Sequence, residues 1–145
     1  RLVGSEMCIR DRLQSLLYKE SGLLGVSGIS ADMRKLRSDP SPAAKWAITL
    51  FTHRVVRESG ALVACLQGLD VMAFSGGIGE HDALLRSEVC QALHWLGVRI
   101  DPARNEQAHG NETVALHTLD SRVEVWVIPT DEGRVAAREA AALIR

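Results

Sequence analysis

The stretch "MAFSGGIGEHDALLRSEV", residues 72–89, passes from a short apolar run through a cluster of glycines into an amphipathic pattern. Its first part, with residues 70–75 reading "DVMAFS", is short and apolar and predicts a buried strand. Beyond the glycines, Leu84, Leu85, Val89, Leu93 and Leu96 recur on one face of a helix. Asp82 falls in its first turn, where negative charge is favoured, and Gly97 stops it. The same order returns later. "VEVWVIPT", residues 123–130, alternates and then becomes wholly apolar, as a strand with a buried end does. Asp131 follows as an N-cap, and Val135, Ala136, Ala140 and Leu143 continue as a helix. Strand–turn–helix at 70–96 and again at 123–144 predicts an α/β sheet with crossover helices. In such sheets ligands sit outside the carboxyl ends of the strands, and both turns fall there.

The rest of the chain narrows the class. It has 145 residues, 46% hydrophobic and 24% charged, with a net charge of −1. That length suits one domain, and the near-neutral balance excludes the basic face of a nucleic-acid binder. "RKLR" at 34–37 is the one basic cluster and reads as a solvated face. An aromatic content of 4% leaves no platform for stacked bases. No apolar run is long enough to span a membrane, and the start lacks a secretory signal. Cys8, Cys65 and Cys90 are far apart, without disulfide or metal spacing, as in a cytoplasmic protein with reduced thiols. The opening "RLVGSEMCIRDR" has scattered charge and no period, so residues 1–12 are expected to be non-native or disordered. Residues 13–19 then end a helix. "RSDPSPAA" at 37–44 is a loop. Residues 41–67 read as a helix with Trp46, Leu50, His53, Val56, Val63 and Leu66 on one face. Residues 98–100 are a short strand, and Asp101-Pro102 a turn or helix start.

Three stretches carry chemistry. In "SGGIGEH", residues 75–81, glycines let backbone N–H groups approach a ligand, which suits a nucleotide phosphate. The GK[ST] of a Walker loop is missing, and Asp82 stands where a dinucleotide fingerprint needs a third glycine. A structural turn and a nucleotide site both fit the spacing. In "IPTDEGR", Asp131 and Glu132 either cap the following helix or hold a hard cation such as Mg²⁺. "SGLLGVSGISADMR", residues 21–34, reads as a glycine-rich loop ending in Asp32 and Arg34. That pair fits a phosphate or adenine contact as well as a surface ion pair. No histidine spacing suggests a transition metal, and no GxSxG elbow suggests a hydrolase.

Taken in order, these three stretches resemble the C-terminal part of the acetate kinase family and its propionate kinase relatives. "SGLLGVSGISADMR" is similar to that family's SGLLG-[IV]-SG-x-S-x-D-x-R segment, "AFSGGIGEH" to F-[ST]-[AG]-GIGEN, and "VIPTDEGRVAAREA" to VIPTNEE-x-x-[IV]-A-R. The similarity extends over residues 15–138. It implies a ribonuclease-H-like fold of the sugar kinase–actin superfamily, here an incomplete C-terminal domain over residues 13–145. It implies a phosphotransferase that moves the ATP γ-phosphoryl to acetate, giving acetyl phosphate and ADP reversibly; propionate or butyrate is the alternative acceptor. By motif, Asp32, Met33 and Arg34 match the segment contacting the nucleotide. Gly77, Ile78, Gly79, Glu80 and His81 match the cradle for adenosine and phosphates, and Glu132 matches the Mg²⁺ carboxylate. Glycine donors and a metal-holding acid are the parts that phosphoryl transfer needs. His81 and Asp131 stand where the family has Asn, and Gly133 where it has a second Glu.

No segment matches the family's acyl-gripping and phosphoryl-stabilising residues, so no catalytic residue is assigned in this chain. The expectation is a piece holding the nucleotide and Mg²⁺ side, inactive alone, from a cytoplasmic enzyme that is a homodimer when intact and binds neither nucleic acid nor membrane. A standalone, non-catalytic nucleotide-binding module is the rival reading.

Overall fold

The computed structural model describes residues 3–143; residues 1, 2, 144 and 145 lie outside the description, as do the side chains of 3–8, 132, 134–137 and 139. The chain divides into two units, residues 1–55 and 56–145.

The first unit is helical. Helix α1 spans Val3–Lys19, so the helix expected to end at residue 19 starts at Val3. Residues 21–34 are not the loop that their glycines suggest. Helix α2 (Gly22–Ser27) closes on Gly28, whose left-handed φ of 65° lets its N–H return to the Leu24 carbonyl at 2.7 Å. Helix α3 (Met33–Ser38) is capped by Asp32, which accepts from the Arg34 N–H at 2.9 Å. Two single-turn helices need only a cap and a left-handed glycine, too short a signal for periodicity to register. Helix α4 (Pro42–Leu66) is long, and the division between units falls within it. Within the first unit it buries Ala44, Ala47 and Ile48, alongside Met33 and Leu36 in that unit's core. The face expected from the sequence is buried only in part: Val63 is buried and Leu50 and Val56 are half-buried, while Trp46, His53 and Leu66 are exposed. Ala44 and Ala47 are the most deeply buried residues of α4, with Ile48 beside them, while Trp46, Leu62 and Leu66 look outward.

The second unit holds the sheet. Strand β1 (Val71–Phe74) leads to α5 (Gly76–His81) and α6 (Ala83–Ala92). A single 3₁₀ turn (His94–Leu96) follows and ends on Gly97 at φ 91°. Next come α7 (Pro102–Gln107), with Asp101 as its cap and Pro at its start, β2 (Val114–Ala115), β3 (Glu124–Val127) and α8 (Glu132–Leu143). Strand order is β1-β3-β2, with β1 parallel and β2 antiparallel to β3. β3, in the middle, buries Val125 and Val127 completely. The apolar run predicts a buried β1, and the structure corrects this. β1 is an edge strand among the described residues, and Val71 and Ala73 are exposed while Phe74 is buried. Leu85, Val89, Cys90 and Leu93 of the α6 region are buried as the pattern requires, but Leu84 faces solvent. Cys65 and Cys90 are free thiols.

The parallel register decides the rest. Phe74 pairs with Val127, so the carboxyl ends of β1 and β3 are level and the chain leaves both at the same edge.

Candidate functional site

Beyond that register the pairing continues for one step. The Ile128 N–H donates to the Phe74 carbonyl at 2.9 Å, and the Ser75 hydroxyl donates to the Ile128 carbonyl at 2.7 Å. The two strand-to-helix turns are thereby brought side by side. Gly76 then takes φ 71°, a left-handed turn that favours glycine, and residues 76–81 wind into α5 rather than an open loop. Gly79 sits close over the strand end, since a Cβ there would lie 3.3 Å from the Phe74 carbonyl carbon. Gly77 is different. It is exposed, and a Cβ would meet nothing within 4 Å, so the surface it presents is bare backbone with open space above.

Glu80 ties the two turns. Its side chain is buried, 7% exposed, and curls back along α5 so that Oε1 accepts the Gly76 N–H at 2.7 Å. The same oxygen accepts the Thr130 N–H at 2.8 Å and the Thr130 hydroxyl at 2.7 Å. These bonds, from the Thr130 hydroxyl above all, hold the Glu80 carboxyl below the usual carboxylate range against the opposing pull of burial. Gly110, at φ 72°, presses on this group from the loop before β2; a Cβ there would stand 2.7 Å from Glu80 Cβ and 2.8 Å from His81 Cε1.

Arg86 braces the glycine segment from beneath. It is fully buried, and burial lowers its pKa against the field of Asp82. Nη1 donates to the Gly79 and Glu80 carbonyls at 2.9 and 2.8 Å, and Nη2 to the Asn105 and Ala108 carbonyls at 2.7 and 3.0 Å. Nε donates to Asn105 Oδ1 at 2.7 Å, and Asn105 Nδ2 donates on to the Ala83 carbonyl at 2.8 Å. A guanidinium has five N–H groups, and each has an uncharged amide acceptor at the end of α5 or α7. The cation thus satisfies carbonyls that short helices leave unpaired.

The structure gathers only some of the residues expected at the site. Gly77 is open, Ile78 half-buried and His81 exposed, all on α5. Glu80 is turned inward to Thr130. In the first unit Met33 is buried in the core, while Arg34 is exposed and doubly held by Asp32, with Nε to Oδ1 at 3.2 Å and Nη2 to Oδ2 at 2.9 Å. The Glu132 side chain lies outside the described ones. Asp131 is exposed. Reading the sequence missed Arg86, Asn105, Thr130 and Gly110. Arg86 alone carried a signal: it occupies the place on the α6 apolar face that precedes Val89 and Cys90 by one turn, where a core residue is due.

Two level parallel strands whose turns meet at one end, together with a likeness to solved structures, define an actin- and sugar-kinase-like α/β fold. The crystal structure of acetate kinase from Porphyromonas gingivalis is similar with a TM-score of 0.83 and 31% identity, covering 99% of this chain and 37% of that one. A propionate kinase from Francisella tularensis is similar with a TM-score of 0.72 and 33% identity, over 84% of this chain and 31% of that one. An acetate kinase from Rhodopseudomonas palustris (strain TIE-1) is 50% identical over 126 residues, 87% of this chain and 31% of its own length. The Acetokinase family model matches residues 4–138, and the chain belongs to that family. It spans about a third of the length of the curated relatives it matches.

Proposed function

We propose that residues 76–81 form the nucleotide cradle of an acyl-phosphate-forming kinase. The observation that carries this reading is the bare, exposed backbone at Gly77, set at the carboxyl ends of two parallel strands and fixed from behind by Arg86 and Glu80. Rigid backbone without side chains suits close approach of adenosine and phosphates, because the N–H groups are positioned before the ligand arrives. Ile78 and His81 flank that surface, and His81 offers one ring N–H where the family pattern has an amide. Within the first unit, Asp32, Met33 and Arg34 match the family's nucleotide-contacting segment by motif; there Met33 anchors the helix and Asp32 orients the exposed Arg34.

Mg²⁺ fits the second turn by its donor chemistry. Residues 131 and 132 bring only carboxylate oxygens, from Asp and Glu, as a hard cation requires, and the Thr130 hydroxyl is already committed to Glu80. Among the described residues no group of three or more His, Cys, Asp or Glu could hold a metal alone. Mg²⁺ takes one or two carboxylates and completes its shell with phosphate oxygens and water, so Glu132 would hold it, with Asp131 adjacent. Bound there, the ion neutralises phosphate charge.

The whole protein on this reading transfers the γ-phosphoryl of ATP to acetate and back, in the cytoplasm and as a homodimer. On this reading the acyl pocket belongs to the part of the relatives' length that this chain does not span, and the chain alone is expected not to catalyse transfer. Likeness to a propionate kinase structure keeps propionate as the second acceptor. Among the described residues no helix is long and apolar enough to cross a membrane.

Calorimetric titration of the chain with Mg-ATP, beside the Gly77→Val variant, tests the cradle. Open space at Gly77 means the variant keeps its fold. Binding by the parent and at least about tenfold weaker binding by the variant supports the reading, since tenfold is about 1.4 kcal/mol of lost contact. Equal binding by both refutes it.

A further inference from the structure

We propose that Glu80 is a positioning residue that couples nucleotide binding to cation binding through Thr130, rather than a group that touches the ligand. This rests on the nucleotide reading of residues 76–81. A carboxylate in a kinase cradle would repel phosphate if it faced the site. Here it is 7% exposed and its Oε1 already accepts three hydrogen bonds, from Gly76 N, Thr130 N and the Thr130 hydroxyl. Two of those donors lie fifty residues away in sequence, on the turn that leaves β3. The clasp joins the two turns beyond the paired strands, beside the Ile128 N–H bond to the Phe74 carbonyl and the Ser75–Ile128 bond. Thr130 precedes Asp131 and Glu132 directly, so its position sets where that acidic turn stands relative to α5.

The clasp is held from two further sides. Arg86 Nη1 fixes the Glu80 carbonyl at 2.8 Å, and the backbone of Gly110 packs against Glu80 Cβ. The carboxylate therefore cannot swing outward without breaking a buried network. Thr130 itself is an exposed residue whose hydroxyl turns back to a buried acid. With α8 starting at Glu132 the capping position belongs to Asp131, and the Thr130 hydroxyl is committed across the site to Glu80. Ligand on the glycine segment and cation on the second turn then bias one shared geometry, and each tightens the other reciprocally.

The test measures ATP affinity of the chain in EDTA and in Mg²⁺, for the parent, Thr130→Val and Thr130→Ser. Val keeps the shape and removes the hydroxyl; Ser keeps the hydroxyl. The parent is expected to gain about fivefold or more in affinity from Mg²⁺. Thr130→Val is expected to bind ATP in EDTA like the parent but to lose most of that gain, and Thr130→Ser to recover it. Hydrogen exchange of residues 76–80 without ligand gives a second readout, rising in Thr130→Val and not in Thr130→Ser. A full Mg²⁺ gain in Thr130→Val overturns the coupling while leaving the nucleotide reading intact. An equal loss with and without Mg²⁺ also overturns it, because Thr130 is then only a packing contact. No ATP binding by the parent refutes the nucleotide reading itself, and the coupling falls with it.

Discussion

Replacing Arg86 with Met removes the buried cation under the glycine segment and isolates what it contributes. The side chain is fully buried and its five N–H groups serve Gly79, Glu80, Ala108 and both oxygens of Asn105. Each acceptor left buried without a donor costs about 1–3 kcal/mol, so the bare sum for five would be on the order of 5–15 kcal/mol. That sum overshoots, for two reasons. Met no longer has to be stripped of the hydration a guanidinium loses, and carbonyls at helix ends recover water or shared bonds. Breaking a buried charged network by removing one partner typically leaves a net cost of about 3–5 kcal/mol. For a chain of 145 residues each kcal/mol lowers Tm by roughly 3–5 °C, so the expected fall is about 10–20 °C. Arg86→Lys keeps the charge but supplies three donors, and should lose about half as much. Urea unfolding followed by circular dichroism and by tryptophan fluorescence gives the free energy directly. A cost for Arg86→Met under about 1 kcal/mol would refute the claim that this residue ties α5 to α6 and α7.

The other predictions concern neighbours of that network. Gly110→Ala should destabilise by about 2–4 kcal/mol, because φ 72° is strained for Ala and its Cβ would overlap Glu80 and His81; urea midpoints measure it, and a neutral result would contradict the packing. Stability should fall on acidification through the folded-state titration of Glu80. Its pKa is depressed on folding, so the contribution is complete above the ordinary value of 4.5 and is lost as pH drops through the lower, folded value. Asp32, Asp39 and Asp120 shift the same way, so Glu80→Gln should flatten the acid limb only in part, and an unchanged limb would count against the Glu80 network. Cys90 is buried and its thiol is pushed up to about 12, mainly by burial, whereas Cys65 is exposed. At pH 8 a thiol reagent with mass mapping should modify Cys65 in the folded chain and Cys90 only after unfolding.

Local signals in the sequence are faithful where one element carries its own period or cap. Leu85 and Val89 on the apolar face of α6, the Asp101-Pro102 helix start and the stop at Gly97 stand where the residue pattern puts them, with Leu84 the exception on that face. Motif order also places the family, because three spaced segments constrain far more than one. What one-dimensional reading misses is long-range partnership. Thr130 looks like part of a turn until Glu80 is seen fifty residues away in sequence, and Asn105 looks like a surface helix residue until Arg86 arrives. Short helices such as α2 and α3 escape because six residues hold less than two turns of pattern. On α4, buried alanines outweigh the exposed Trp46, and hydrophobicity alone ranks them the other way.

Whether residues 76–81 hold a nucleotide is tested most directly by hydrogen–deuterium exchange of the chain with and without Mg-ATP. A cradle there should give saturable slowing at residues 75–82 and at the 128–132 turn. Unchanged exchange in both segments at millimolar Mg-ATP, in a chain shown to be folded by its circular dichroism, would mean that the glycine segment is a structural turn and not a nucleotide site.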